Sequence, residues 1–187
     1  MRTSRTTRRL VQTLSVPLCA VVALATVGGA SAQAPASGGL GAADYVVGFV
    51  QYVRWPAEEQ VKSWQVCVAA PLGDKADRYA GRSARGKAFE VRAVGPRDGL
   101  AECHVLDLSD ASAAEAKALL ERARPLAVLT VGEGERFCTA GGVACLRGRD
   151  GGGGFEINLS AAQQARLSVN AQLLMLGRKR QVGGGGS

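Results

Sequence analysis

Four of the five cysteines in this chain, Cys67, Cys103, Cys138 and Cys145, lie downstream of a leader that directs export. Thiols carried into an oxidising compartment pair, whereas the same thiols in cytosol stay reduced. The sequence therefore reads as a small exported domain stapled by two disulfides, not as a cytosolic thiol enzyme.

The leader has three parts. Arg2, Arg5, Arg8 and Arg9 form a basic start, Leu10 to Gly29 is apolar with a break at Pro17, and Ala30-Ser31-Ala32 offers small residues for cleavage ahead of Gln33. Gln12, Thr13 and Ser15 dilute the apolar stretch, so cleavage near Ala32 is expected over membrane anchoring. Cys19 would leave with the leader. It makes a poor lipidation site after Val16-Pro17-Leu18, and Arg8-Arg9 fits a twin-arginine signal weakly. The formal charge of the chain is +7, and losing the four leader arginines reduces it to +3. That balance is ordinary for solubility, and no basic stripe with interleaved aromatics points to nucleic acid. Arg178-Lys179-Arg180 reads as a solvated helix tip.

The organisation expected is a signal peptide over 1–32, a flexible stretch over 33–40, one domain over 41–180 and a flexible Gly/Ser tail over 181–187. Ala43, Val46, Val47, Val50 and Val53 recur at helical spacing, and Pro56 predicts that this helix stops at Trp55. Strands are predicted over 64–70, 89–94, 104–108 and 126–131. Asp74 is expected to cap a short helix through about Ala80. Ser112 and Glu115 make a capping box for a helix over 113–123. Val143 to Arg147 and Phe155 to Leu159 read as a hairpin joined by the Gly151–Gly154 run. From Ser160 the chain turns helical, in two pieces with Leu167 to Val169 extended. Strands alternating with helices predict an α/β fold: a single domain with a mixed sheet of about five to six strands and helices on both faces.

Catalytic motifs are scarce. His104 is the single histidine and adjoins Cys103, but neighbours in a strand point to opposite faces, which denies them a nucleophile–base geometry. No Gly-x-Ser-x-Gly elbow exists to serve a triad. Gly132-Glu133-Gly134 follows a strand, yet Phe137 stands where the third glycine of a dinucleotide loop belongs, and the segment after it reads as non-helical. Glu133 and Glu135 read as solvated loop acids. Zinc is the rival use of the cysteines, but Cys-x-x-Cys knuckles are absent and export favours disulfides. The pairing chosen from the three allowed is Cys67–Cys103 and Cys138–Cys145, the second flanking the permissive Gly141-Gly142. Loop entropy gives about 3.8 kcal/mol for the long bridge and about 2.5 for the short one. The long bridge is thus expected to be structural, and the short one reducible. No metal or cofactor is expected.

Six segments in order resemble the YfiR-like family of periplasmic proteins. Tyr52-Val53-Arg54-Trp55-Pro56 is similar to its Phe-x-x-Trp-Pro opening, and Glu102-Cys103-His104-Val105-Leu106 to its Cys-His-Val-Leu strand. Leu129-Thr130-Val131-Gly132, Phe137 with Gly141-Gly142, Phe155-Glu156-Ile157-Asn158-Leu159, and Leu173-Leu174 resemble the remaining segments. Asp107 departs from the pattern, since the family often has an apolar residue there, and it needs an exposed face or a partner. The resemblance implies a periplasmic α/β protein without enzymatic activity. It would repress an inner-membrane diguanylate cyclase by binding its periplasmic sensor domain, lowering cyclic-di-GMP and biofilm formation, and some members of the family also sense redox state through disulfides; a second copy of the chain, as a homodimer, is a further expected partner. Tyr52, Trp55, Phe155 and Glu156 are the candidate partner-binding residues, the alternative for Trp55 and Phe155 being that they are core. A small-molecule sensor feeding a membrane kinase or receptor is the second reading, and a thiol oxidoreductase the third.

Overall fold

The computed structural model describes residues 40–148 and 153–182. The leader with Cys19, the stretch over 33–39, Gly151-Gly152 and the tail over 183–187 lie outside them, as do the side chains of Arg178, Lys179 and Arg180.

The chain runs α1 (Ala42–Tyr52), β1 (Val53–Arg54), β2 (Trp64–Ala69), β3 (Ser83–Ala84), β4 (Lys87–Val94) and β5 (Val105–Asp107). It continues as α2 (Ala113–Ala123), β6 (Leu129–Glu133), α3 (Glu135–Thr139), β7 (Ala144–Leu146), β8 (Phe155–Ile157), α4 (Leu159–Gln164), β9 (Ser168–Val169) and α5 (Ala171–Val182). One sheet has the order β3-β4-β2-β5-β6-β7-β8, seven strands rather than the five to six expected, and β1 pairs with β9 in a separate two-stranded sheet. The five central strands are parallel, while β3 and β8 run antiparallel at the two edges.

Side-chain alternation along each strand builds two cores. Val66, Val68, Val105, Leu129, Val131 and Leu146 face the layer of α1, α4 and α5. Cys67, Ala69, Leu106, Leu108 and Cys145 face α2 and α3. Strands buried on both sides explain the near-continuous apolar runs in the sequence.

Local chemistry sets most boundaries. At the start of α1 the Gly41 N–H donates to Asp44 Oδ2 at 2.8 Å. At α2 the Glu115 N–H donates to Ser112 Oγ (3.3 Å) and the Ser112 N–H to Glu115 Oε2 (3.1 Å), a reciprocal cap worth about 1 kcal/mol. Three expectations need correction. The first helix ends at Tyr52, not Trp55, because Val53 and Arg54 pair with Val169 and Ser168. The segment from Asp74 is a three-residue 3-10 turn (Gly73–Lys75) followed by turns, without a side-chain cap. The chain after Gly134 is helical as α3, where the sequence pointed to a non-helical segment.

Strand β3 escaped the sequence reading. It is held by a turn in which Arg85 (φ 51°) and Gly86 (φ 74°) both adopt positive φ, the geometry of a tight hairpin. Trp64 Nε1 donates to Ala84 O at 2.8 Å and clamps it from below. Asp107 is buried, and it has partners: Tyr79 donates its hydroxyl to Oδ2 at 2.6 Å, and the Ser109 N–H and hydroxyl donate to Oδ1 at 3.0 and 2.7 Å. Burial, reinforced by the neighbouring carboxylate, pushes the Tyr79 phenol well above its ordinary pKa, so it remains a donor.

Candidate functional site

Four cysteines form two cystines, and both lie in the core on the α2/α3 side of the sheet. Cys67 on β2 joins Cys103, which precedes β5, with Cα atoms 5.7 Å apart. Cys138 on α3 joins Cys145 on β7 at the same Cα separation, 5.7 Å. The first bridge is sealed, with Cys67 at 0% and Cys103 at 3% exposure, whereas Cys138 reaches 9%. A reductant therefore meets the short bridge first. Arg92 donates to Gly99 O (2.9 Å) and lies 3.4 Å from Cys103 Sγ, so a cation backs the long bridge.

The short bridge fastens α3 beside a tightly packed ring. Phe137 lies against both Gly132 and Gly142, where an added Cβ would come within 2.5 and 2.2 Å of ring atoms. Asn158 Nδ2 donates to Cys138 O (3.1 Å) while its Oδ1 accepts from the Ala161 N–H (3.0 Å), which ties the bridge to the start of α4. Four sulfurs committed to two separate cystines do not assemble the tetrahedral site weighed for zinc. Among the described residues no group of three His, Cys, Asp or Glu side chains is placed to hold a metal ion.

His104 belongs to an aromatic–cation cluster. Its ring meets Trp64 edge-on at 5.5 Å, its carbonyl accepts from Trp55 Nε1 (3.0 Å), and its Nδ1 accepts from the Gln65 N–H (3.0 Å). Arg85 stacks over Trp64 at 4.6 Å and pairs with Glu58. Burial, then the Lys87 cation, hold the imidazole below its ordinary pKa of 6.5. The unfolded chain thus binds the proton more readily, so this contribution is complete above pH 6.5 and is lost as pH falls through the folded-state value. Urea titrations at pH 7.5 and 5.0 should show stability declining, and His104→Gln should flatten the decline. An unchanged slope in the variant would remove His104 from the account.

Of the candidate partner-binding residues, Tyr52 is half-buried at the end of α1 and Glu156 is exposed on the edge strand β8, 3.7 Å from Arg147. Trp55 and Phe155 are core residues, each 6% exposed. Trp55 packs on Trp64, and Phe155 meets Phe49 edge-on at 4.9 Å, so neither offers a surface anchor. The sequence reading missed Leu40, Met175 and Leu176, which are exposed. Leu40 and Leu176 line a groove of about 150 Å³ with Tyr52 between α1 and α5. A signal was present for Met175, two residues from the buried Leu173 and so off its helical stripe, whereas Leu176, three residues on, shares that stripe and only the fold leaves it exposed.

Open parallel sheets hold ligands outside the carboxyl ends of their strands, where successive connections diverge. Here that point lies between β2 and β5. Its groups satisfy one another: Lys75 Nζ donates to Ala69 O (2.6 Å), Tyr79 and Ser109 occupy Asp107, and Arg78 pairs with Asp110.

A family model described as DUF4154, YfiR/HmsC-like, matches residues 42–178, from α1 into α5. No curated protein matches the chain. Among the described residues no helix is long and apolar enough to cross a membrane.

Proposed function

The chain belongs to the YfiR/HmsC-like family, a family of periplasmic regulatory proteins, and from that premise we propose that it represses an inner-membrane diguanylate cyclase by binding the cyclase's periplasmic sensor domain. The observation that carries this reading is the family match across residues 42–178. Two cystines suit an exported protein, and the ligand crevice of the sheet is taken up by its own side chains, which suits a binding role better than turnover.

The mechanism is a population shift. The protein binds one state of the sensor domain and holds it there, and the shift cannot exceed its difference in affinity for the two states. The surface assigned to the partner combines Tyr52, Leu40 and Leu176 along the α1–α5 groove with Glu156 on the neighbouring edge strand. Phe155 supports that surface from within, whereas Trp55 packs on Trp64 away from it. Reduction of Cys138–Cys145 would release α3 and lower the affinity.

The test is deletion of the gene in strains with and without the membrane cyclase. Cyclic-di-GMP should rise severalfold in the first and stay level in the second. A level that does not move when the cyclase is present would end this reading in favour of a ligand sensor serving a kinase.

A further inference from the structure

A second crevice opens at the carboxyl ends of the strands, one position along from the filled one. It lies between α2 and α3, above the ends of β5 and β6, and has a volume of about 400 Å³. That is within the range of small-molecule sites, about 300–1,000 Å³. Its floor is apolar, formed by Leu108, Leu120 and Phe137. Space exists because α2 turns Ala113 and Ala116 toward it, where larger side chains at these positions would close it.

The rim carries charge. Lys117 stands on α2, Arg136 on α3 and Glu133 at the end of β6. None of the three side chains has an ion-pair partner among the described residues. Of the other described arginines, Arg78, Arg82, Arg85 and Arg147 are paired with carboxylates, and Arg54, Arg92, Arg122 and Arg124 donate to backbone carbonyls. Two unpaired cations facing one carboxylate leave a single net positive charge over an apolar floor. A neutral hydrocarbon would leave that charge unanswered, and a dianion would meet Glu133.

We propose that the α2–α3 cleft binds a small organic monoanion with an apolar, ring-sized body, its charge between Lys117 and Arg136 and its body on Leu108, Leu120 and Phe137. The site is distinct from the α1–α5 groove on the opposite face, and it does not rest on the cyclase as partner.

The probe is 8-anilinonaphthalene-1-sulfonate, an aromatic monoanion, titrated into the folded oxidised protein and followed by fluorescence. N-phenyl-1-naphthylamine serves as the uncharged counterpart. One saturable site is expected. The double variant Lys117→Gln/Arg136→Gln should weaken the sulfonate at least tenfold while changing the naphthylamine less than twofold. Ala116→Leu should abolish binding of both by filling the cleft. Gly48→Leu, which fills the α1–α5 groove, should leave both unchanged. Because Lys117 and Arg136 are exposed, their replacement spares the fold, so a destabilised Ala116→Leu protein would not leave the matter open. The proposal is overturned by absence of saturable binding to the native protein, by charge variants that bind the sulfonate normally, or by loss of binding in Gly48→Leu.

Discussion

Replacing Cys67 and Cys103 together by alanine lowers the unfolding free energy by about 4 kcal/mol, against about 2.5 for the Cys138/Cys145 pair. The difference comes from the loops closed, with sequence separations of 36 and 7. A longer loop removes more freedom from the unfolded chain. Burial adds to the cost, because Cys67 and Cys103 are nearly inaccessible and alanine leaves their space partly empty. Urea denaturation of the three proteins measures this directly. The long-bridge variant should also show a larger dependence on denaturant, since its unfolded state, freed of the cross-link, exposes more surface. If the short bridge proves the more costly one, the assignment of structural and reducible roles is reversed.

Gly142→Ala has the largest effect expected of any single methyl group. The new Cβ would stand 2.2 Å from a Phe137 ring carbon, and Gly132→Ala would place one at 2.5 Å. The ring is held between the two glycines, so ring or backbone must move, at a cost of about 3 kcal/mol. The displaced ring adjoins Cys138, and strain there reaches the short bridge. Phe137→Ala alone should cost about 3 kcal/mol through loss of packing. In that background Gly142→Ala should add less than about 1 kcal/mol, because the clash is gone. Additive costs in the double variant would show that the glycine serves its own backbone and not the ring.

Those two results concern features of different visibility in the sequence. Cysteine positions and exported context lead to the bridges by local reasoning, and the Ser112–Glu115 cap and the Phe155 strand are equally local. Phe137 between two glycines is not local. Its ring meets Gly132 on β6 and Gly142 beyond α3, and the five-residue helix that presents it has too few turns to show a period. Strands β1, β3 and β9 have two residues each, which leaves no alternation to read. Asp107 called for a partner, but Tyr79 lies 28 residues earlier and only the fold brings it near. Trp55 and Phe155 were open to either role because large aromatics serve both interfaces and cores. Here the edge-on packing on Phe49 and the bond from Trp55 to His104 O decide for the core.

The sheet also partitions how the molecule coheres. Every close ring pair among the described residues, including Tyr45–Phe155, Trp55–Trp64 and Tyr79–Phe89, belongs to the α1/α4/α5 side, whereas both cystines lie opposite. One half is welded and the other merely wetted together. A mild electron donor therefore slackens only the welded half, and the aromatic half persists as a docked shell on the same strands.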